Sequence, residues 1–343
     1  MKKVLSLLVV LMMVMAVLAG CSGGGSSAPE GSEGTGTADE GKVYELKMST
    51  QLADTHPMVE GFRQLAARLS ERTDGKLVME VFPSAQLGSD EDVIEQAIQG
   101  VNVAVLTDGG RMANYVEEIG IIGAPYFADS YDEVLKVTQT DIFKEWEQEL
   151  AQDHNIRVLS FNWYDGARHF LTNKPVTKPE DLNGVRIRTP GAPVWSESIK
   201  AMGATPVSMP WTEVYTAVQQ KAIDGAEGQH TASYTAHLYE VIKYIDKTAH
   251  FHLINGIIVG EKWFQTLPEE YQQILLEETK AVAAENARYI QQVEADFEEK
   301  MVEAGMEVVE VDLEAFKAAA EKAYDVLGLT ELRDQIYAEI GKK

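Results

Sequence analysis

The chain has 343 residues, of which 45% are hydrophobic, and it carries a formal net charge of −24 at pH 7. A chain of this length and apolar content can form one large domain or two medium ones. A surface with this much negative charge repels nucleic acid and anionic lipid headgroups. Neither is therefore expected to bind the protein through surface charge.

The N-terminus has the pattern of an exported protein. Two lysines precede an apolar run over residues 4–18, which is too short for a comfortable membrane span. The run ends in Leu-Ala-Gly-Cys, which resembles the bacterial lipobox, whose cysteine is lipidated and becomes the mature N-terminus. We therefore predict a lipoprotein signal peptide over 1–20, lipidation at Cys21 and a flexible Gly/Ser-rich tether over 21–41. The alternative is an ordinary signal peptide with a chance cysteine.

The region after the tether alternates strand and helix patterns. Strands are predicted at 44–48, 77–82 and 101–106. Helices are predicted between them, at 59–69 and 89–98. The second helix begins with a variant capping box formed by Ser89 and Asp92. This order is typical of an α/β domain with a mainly parallel sheet.

The middle of the chain continues the alternation. Strands are predicted at 156–160, 168–171, 185–189 and 205–207, with helices at 194–202 and 213–221. The segment GVRIRTP, residues 184–190, places Val185 and Ile187 on one face of a strand and Arg186 and Arg188 on the other. Two arginines therefore share one face of a strand in the middle of an acidic chain.

A long helix is predicted near the C-terminus. Residues 268–304 keep helical spacing and contain no internal glycine or proline. Such a helix would be about 55 Å long at 1.5 Å per residue, which exceeds one small domain. It is therefore predicted to span two domains, and the alternative is two helices with an unmarked break.

Common catalytic motifs do not occur in the sequence: there is no G-x-S-x-G, no H-E-x-x-H and no P-loop. Asp224 and Glu227 could form the carboxylate pair of a secreted hydrolase, although a turn acid followed by a capping acid explains them as well. Four histidines lie within 23 residues, at His230, His237, His250 and His252. They leave a zinc-capture lipoprotein as an alternative. The sequence predicts no enzyme, no cofactor and no resident metal.

The stretch over residues 181–229 carries a family resemblance. It reads DLNGVRIRTPGAPVWSESIKAMGATPVSMPWTEVYTAVQQKAIDGAEGQ. It closely resembles the signature of the solute receptors of TRAP (tripartite ATP-independent periplasmic) transporters. That signature has a DLKG turn, an I-R strand, a GA-x-P-V-x-M-P-W/F segment, an EVY-x-A-x-Q helix and a final DG-x-E. Matching pieces at 82–88, 124–126 and 168–173 extend the similarity from about residue 44 to the C-terminus.

The resemblance implies an α/β fold of two lobes, of the periplasmic-binding-protein type (type II-like), with a long lobe-spanning C-terminal helix. Lobe one is expected at 42–165 plus 254–293, and lobe two at 166–253 plus 294–343. The implied function is a lipid-anchored receptor on the periplasmic or extracellular face of the membrane. It would bind a small organic carboxylate by hinge closure and deliver it to TRAP membrane permease subunits.

The same resemblance assigns the ligand's carboxylate to Arg188, and some members use a second arginine, at the position of Arg168. A guanidinium offers a planar fork of donors that matches two carboxylate oxygens. The two arginines are expected on adjacent strands, and Arg186 is expected to be a solvated strand-end charge. The other candidate ligand-binding residues are Trp211, Gly228, Gln229, Trp163, Tyr164 and His56.

One departure from the family pattern affects the expected ligand. Many members have Asn-Pro after DG-x-E, where this chain has Gly228 and Gln229. A glycine removes a side chain from the cleft wall, and Trp211 could supply an apolar or stacking surface. The departure therefore predicts a monocarboxylate with a sizeable apolar or aromatic remainder, rather than a compact dicarboxylate. The alternative is that Gly228 only satisfies a turn and Gln229 replaces the missing amide.

Overall fold

A computed structural model describes residues 41–342. The predicted signal peptide, the lipidation site Cys21 and nearly all of the tether lie outside the described residues. Within residues 41–342, no helix combines the length and apolar character needed to cross a membrane.

Nine strands form one continuous sheet in the described part. They are β1 (Tyr44–Ser49), β2 (Leu77–Phe82), β3 (Val103–Asp108), β4 (Ile156–Thr172), β5 (Arg186–Thr189), β6 (Thr205–Ser208), β7 (Gly225–Gly228), β8 (Tyr244–Gly260) and β9 (Glu307–Val309). Their order is β2-β1-β3-β8-β4-β7-β5-β6, and β9 pairs with β8. The outer groups are parallel within themselves, whereas β3–β8, β8–β4 and β4–β7 are antiparallel. The sheet is therefore mixed, and the prediction of a mainly parallel sheet holds only for the two outer groups.

Residues 41–342 also form twelve α-helices, most of which pack against this sheet. They are α1 (Pro57–Arg72), α2 (Asp90–Ile98), α3 (Gly109–Met112), α4 (Tyr131–Val137), α5 (Asp141–His154), α6 (Pro193–Ala201), α7 (Val214–Gln219), α8 (His230–Thr235), α9 (Glu261–Phe264), α10 (Glu269–Glu303), α11 (Leu313–Leu327) and α12 (Thr330–Ile340). Short 3₁₀ segments lie at Glu117–Gly123, Pro179–Leu182, Trp211–Glu213 and Leu238–Glu240. The predicted capping box of α2 is present, because the side chains of Ser89 and Asp92 each accept from the other's backbone N–H.

Two predictions about the middle of the sheet were wrong. The segments 156–160 and 168–171 are not separate strands but parts of the 17-residue strand β4. Arg168 on β4 and Arg188 on β5 do not lie on adjacent strands, because β7 pairs with both and separates them. Sequence spacing does not reveal which strand inserts between two others.

The sheet has two halves that share β4 and β8. The first half comprises β2, β1 and β3, and β3 pairs with residues 255–259 of β8. The second half comprises β7, β5 and β6, and β7 pairs with residues 169–172 of β4. Between the halves, the β4–β8 ladder changes register four times, from Val158 to Phe170. The long strands are therefore irregular where they pass from one half to the other. The predicted lobe boundaries stay a prediction.

Gly166 lies within this irregular stretch and has a backbone that favours glycine, with φ of +106°. A Cβ there would lie 2.8 Å from the Glu294 carboxylate, which accepts a hydrogen bond from the backbone N–H of Ala167 at 2.8 Å. Glu294 belongs to α10, a single helix of 35 residues. The prediction of one long helix is confirmed, and α10 packs on β4, α1 and α8. Of these, α1 packs on β2 in the first half and α8 packs on the shared strand β4, so α10 supports more than one part of the sheet.

Candidate functional site

A cavity of about 70 Å³ lies between the two halves. One water molecule needs roughly 10–15 Å³ on this measure, so the cavity has room for several waters or for part of a small organic molecule. Its walls include residues at or just beyond the C-terminal ends of β1, β3 and β5. In α/β sheets the carboxyl ends of parallel strands are the usual place for ligands.

Arg188 is a buried cation in this cavity with no carboxylate partner among residues 41–342. Its Nε donates a hydrogen bond to the Met209 carbonyl oxygen at 2.9 Å, and its guanidinium lies 5.2 Å from the centre of the Trp211 ring. Burial, together with the nearby Arg168 and Arg111, lowers the pKa of Arg188 to about 9, so the group stays protonated at neutral pH. A buried charge without a counterion is costly, and an anion entering the cavity would offset that cost.

Arg168 also lines the cavity, but it has a counterion. Its Nη1 donates to Glu227 Oε1 at 2.9 Å, and its guanidinium stacks 4.7 Å from the Trp195 ring. Glu227 also accepts from the Thr189 hydroxyl at 2.7 Å. Its other carboxylate oxygen lies 3.1 Å from Nε2 of His250. Burial alone would raise the pKa of Glu227, but Arg168, His250 and Thr189 outweigh it and lower the pKa to about 2. The Arg168–Glu227 pair is therefore ionised and internally compensated.

A third arginine, Arg111, lies at the wall formed by the first half. It contacts Asp108 through Nη1 and Oδ2, Glu91 at 2.8 Å and Asp90 at 3.3 Å. Asp108 also caps α3 by accepting from the backbone N–H of Arg111 at 2.9 Å. Burial lowers the pKa of Arg111, but the three carboxylates outweigh it and raise the pKa overall. This guanidinium is more than neutralised by its own chain.

Asp90 is the first residue of α2 and is buried beside Arg111. Its Oδ2 accepts a hydrogen bond from Gln51 Nε2 at 2.7 Å, whereas its buried Oδ1 has no partner among the described residues. Burial raises the pKa of Asp90 to about 6, against the opposing effects of Arg111 and Gln51. Asp90 is therefore an incompletely satisfied acceptor in the cavity wall.

Gln51 joins the two halves across the cavity. Its Nε2 donates to Asp90 in the first half, and its Oε1 accepts from the backbone N–H of Trp211 in the second half at 2.9 Å. The Gln51 residue is only 5% exposed. Its two hydrogen bonds hold the walls of the cavity together in this conformation.

Four of the eight predicted ligand-binding residues line the cavity: Arg188, Arg168, Trp211 and Gln229. Gln229 precedes α8, and its buried Nε2 has no partner in the described part of the chain. Gly228, Trp163, Tyr164 and His56 are not among the lining residues. The structure thus brings both arginines, one tryptophan and the glutamine together.

Three of the other candidates are held by internal contacts. Trp163 packs 4.9 Å from the Phe62 ring in the core of the first half, and the Tyr164 hydroxyl lies 3.0 Å from His252 Nδ1. Both were predicted from an expected turn, which is absent because β4 continues through them. His56 caps α1, and its Nε2 lies 3.2 Å from the Asp165 carboxylate. Asp165 itself lines the cavity.

Gly228 lies in β7 and leaves no extra room for a ligand. A Cβ at this position would lie 2.7 Å from Ser233 Oγ and 3.1 Å from the Trp211 ring. The Trp211 ring and the Ser233 hydroxyl therefore occupy the space next to Gly228. The expectation that this glycine opens the cleft wall for a bulkier ligand was wrong.

The residues behind the alternative functions are engaged elsewhere. Asp224 forms two hydrogen bonds with the Arg186 guanidinium, at 2.8 and 2.9 Å, and both side chains are about two-fifths exposed. Arg186 is therefore paired as well as solvated, and Glu227 is committed to Arg168. The four histidines have different neighbours: Glu298, Tyr239, Glu227 and Tyr164. No cluster of three or more metal-ligating side chains occurs within residues 41–342.

Most residues of the cavity wall were missed from the sequence. Among them are Gln51, Asp90, Thr107, Asp108 and Arg111. Thr107 and Asp108 end β3, and Gln51 follows β1 by two residues, so their positions at strand ends could have identified them. Asp90 and Arg111 begin or belong to helices and had no comparable signal.

Comparison with known protein families identifies one match over most of the chain. The model of the family "Bacterial extracellular solute-binding protein, family 7" matches residues 48–329. Among curated proteins, the sialic acid-binding periplasmic protein SiaP of Vibrio cholerae is 29% identical over 279 residues. The match covers 81% of this chain and 87% of that protein.

Solved structures show the same similarity. A TRAP periplasmic solute-binding protein from Ochrobacterium anthropi with bound L-fuconate is 33% identical with a TM-score of 0.84, covering 87% of this chain and 99% of that chain. One from Escherichia fergusonii in an apo open structure is 37% identical with a TM-score of 0.76, covering 86% and 99%. The fold therefore agrees more closely with the ligand-bound relative, although the open one is closer in sequence.

Proposed function

Because the chain belongs to the bacterial extracellular solute-binding proteins of family 7, the non-enzymatic receptors of TRAP transporters, we propose that it captures a small hydroxylated carboxylate. The bound acid would be delivered to TRAP membrane permease subunits. The observation that carries the proposal is Arg188, a buried guanidinium without a counterion in the cavity. A ligand carboxylate would supply that counterion through charged hydrogen bonds.

Two donors without partners are further evidence that the proposed ligand carries a carboxylate. Arg168 Nε and Gln229 Nε2 are buried without an acceptor among the described residues, and both side chains line the cavity with Arg188. Buried donors without acceptors are rare in folded proteins. Oxygen atoms of a bound acid are the acceptors that would satisfy them.

The rest of the cavity supports a hydroxylated ligand. The wall formed by the first half includes Thr107, Asp90 and Asp108, which are polar. The relatives from V. cholerae and O. anthropi are described as binding sialic acid and L-fuconate, which are both sugar acids. We therefore propose a sugar acid as the ligand, in place of the monocarboxylate with an apolar or aromatic remainder that the sequence predicted.

Closure of two lobes is the expected mode of capture. Lobe one (42–165 plus 254–293) and lobe two (166–253 plus 294–343) would correspond to the two halves of the sheet and their helices. The register shifts of β4 lie between the halves, and Gln51 bridges them on the other side of the cavity. A ligand that contacts both walls stabilises the closed state through contacts that the open state lacks.

The first test is a thermal-unfolding screen of aldonates, uronates, C4-dicarboxylates and aromatic monocarboxylates. A sugar acid at a concentration of 100 times its Kd should stabilise the folded state by about 2.7 kcal/mol. The same acid should reduce the radius of gyration in solution scattering. Stabilisation by aromatic acids or C4-dicarboxylates alone would contradict the proposed ligand class, and no response to any carboxylate would contradict the function.

Lipid anchoring of the receptor through Cys21 is a second part of the proposal, supported by Leu-Ala-Gly-Cys and the Gly/Ser-rich segment behind it. Cys21→Ala should abolish incorporation of labelled fatty acid in cells, because the cysteine sulfur is the atom to which the diacylglyceryl group would be attached. The matched control is Ser22→Ala, which leaves the cysteine in place and should be labelled like the wild type. Labelling of the Cys21→Ala variant would contradict the anchor.

A further inference from the structure

The unsatisfied polar atoms around the cavity differ in kind between the two walls. Those of the second half are the donors Arg168 Nε and Gln229 Nε2. Those of the first half are Asp90 Oδ1, an acceptor, and Thr107 Oγ1, which can donate or accept. All four side chains line the cavity. A ligand that satisfies every one of them has acceptors at one end and at least one donor at the other.

The formal charges of the two walls differ in the same direction. Among the cavity-lining residues of the first half, Arg111 faces the carboxylates of Asp90 and Asp108, so one negative charge is left over. In the second half, Arg188 adds a positive charge to the compensated Arg168–Glu227 pair. The cavity is therefore negative at one end and positive at the other.

Arg111 is the one cation among the cavity-lining residues of the first half, and so the first candidate to bind a second ligand carboxylate at the negative end. Its guanidinium nitrogens are already engaged: Nη1 with Asp108, Nε with Glu91 and Nη2 with Asp90. A second ligand carboxylate would have to displace one of these carboxylates or lie against Asp90. Like charges placed together in a buried site cost several kcal/mol, which is why such contacts exclude wrong partners.

We propose, on the basis of the proposed carboxylate-binding function, that Asp90 is a specificity-determining residue of this receptor. Its free Oδ1 accepts a hydrogen bond from a hydroxyl at the end of the ligand that faces the first half. Its charge excludes acids with a second carboxylate at that end. The receptor is thereby selective for monoacids such as aldonates over the diacids of the same carbon skeleton.

The contacts of Asp90 also fix its geometry. Oδ2 is held by Gln51 at 2.7 Å and by Arg111 at 3.3 Å, and the residue begins a helix closed by the Ser89 capping box. The orientation of the free oxygen is therefore set by three separate elements. Gln51 also binds the Trp211 backbone. Asp90, which would contact the ligand, is therefore hydrogen-bonded to the residue that joins the two halves.

The test measures binding of matched acid pairs by titration calorimetry at pH 7.5, above the pKa of Asp90 near 6. The pairs are L-galactonate with galactarate and D-gluconate with D-glucarate, which differ only in a terminal CH₂OH or carboxylate. The affinity of wild type for the monoacid of its preferred pair should be roughly 100-fold higher than its affinity for the diacid. Asp90→Asn, which keeps the size of the side chain and removes its charge, should reduce that preference at least about tenfold.

Glu91→Gln is the matched control, because Glu91 contacts the same guanidinium but its half-exposed side chain is not among the cavity-lining residues. It should retain the wild-type preference. Equal affinity of wild type for monoacid and diacid would overturn the assignment of Asp90. An unchanged preference in a folded Asp90→Asn variant would overturn it as well. Failure of all four acids to bind wild type would overturn the role of Asp90, whereas the carboxylate function itself would be overturned only if no acid of the thermal-unfolding screen stabilised the protein.

Discussion

Both walls of the cavity carry buried arginines, and Arg111 of the first half and Arg188 of the second are compensated in opposite ways. Arg111 contacts three carboxylates of its own chain, whereas Arg188 contacts none among the described residues and donates only to a backbone carbonyl. The first arrangement is complete without a ligand and the second is not. A count of arginines therefore does not locate an anion site, but the lack of an internal counterion does.

The largest expected effect follows from removing the uncompensated arginine. Arg188→Ala should weaken binding of the cognate acid by about 2–5 kcal/mol, or roughly 30-fold to several thousand-fold, because the ligand carboxylate loses its buried partner. Arg188→Lys should recover only part of the affinity, since an ammonium lacks the planar fork. Titration calorimetry measures both. Wild-type affinity in a folded Arg188→Ala variant would show that the lack of an internal counterion at Arg188 does not identify the anion site.

The second prediction concerns the compensated Arg168–Glu227 pair and the free energy of unfolding. Folding lowers the pKa of Glu227 from 4.5 to about 2, so its ionisation stabilises the protein above pH 4.5, and this contribution is lost as pH falls from 4.5 towards 2. Its size is on the order of 2–3 kcal/mol. Denaturant unfolding of Glu227→Gln should show a smaller loss of stability than wild type between pH 5 and pH 3. Parallel pH profiles would show that the pair is not ionised as described.

The smallest effect is expected at Arg186, which lies two residues from Arg188 on the same strand. Arg186 pairs with Asp224 at the protein surface, and exposed ion pairs contribute little. Arg186→Ala should change ligand affinity by less than about twofold, as measured in the same titrations as Arg188→Ala. It therefore serves as the matched control for that variant. A large loss of affinity in Arg186→Ala would show that position on β5, rather than compensation, decides the effect.

Local patterns in the sequence predicted much of the fold. The capping box of Ser89, the uninterrupted helix α10 and the placement of Arg188 on a short strand all depend on residues close together in the chain. The continuity of β4 and the insertion of β7 between β4 and β5 depend on pairing with distant segments. Such pairing leaves no local periodicity, which is why both were missed.

The candidate site shows the same difference between residues that local sequence patterns identify and contacts between distant segments. The family signature located Arg188, Arg168, Trp211 and Gln229, which line the cavity. The contacts of Gln51 and Asp90 are visible only in three dimensions, because Gln51 is 160 residues from Trp211 and 39 residues from Asp90 in the chain. The aromatic ligand was predicted from the absence of a side chain at Gly228 together with a stacking surface on Trp211, and the packing of Trp211 against that glycine removed the expected space.

The sharing of β4 and β8 between the halves has a consequence for folding. β5, β6 and β7 all lie in the segment that connects β4 to β8, whereas β1, β2 and β3 precede β4. The first half is joined to the rest of the sheet only when β3 pairs with the end of β8, near residue 259. The complete sheet therefore requires the chain as far as β8, and the long sequence separation of the β3–β8 pairing is of the kind that slows folding. The strands that connect the two halves are thus also the ones whose pairing is expected to be slowest to form.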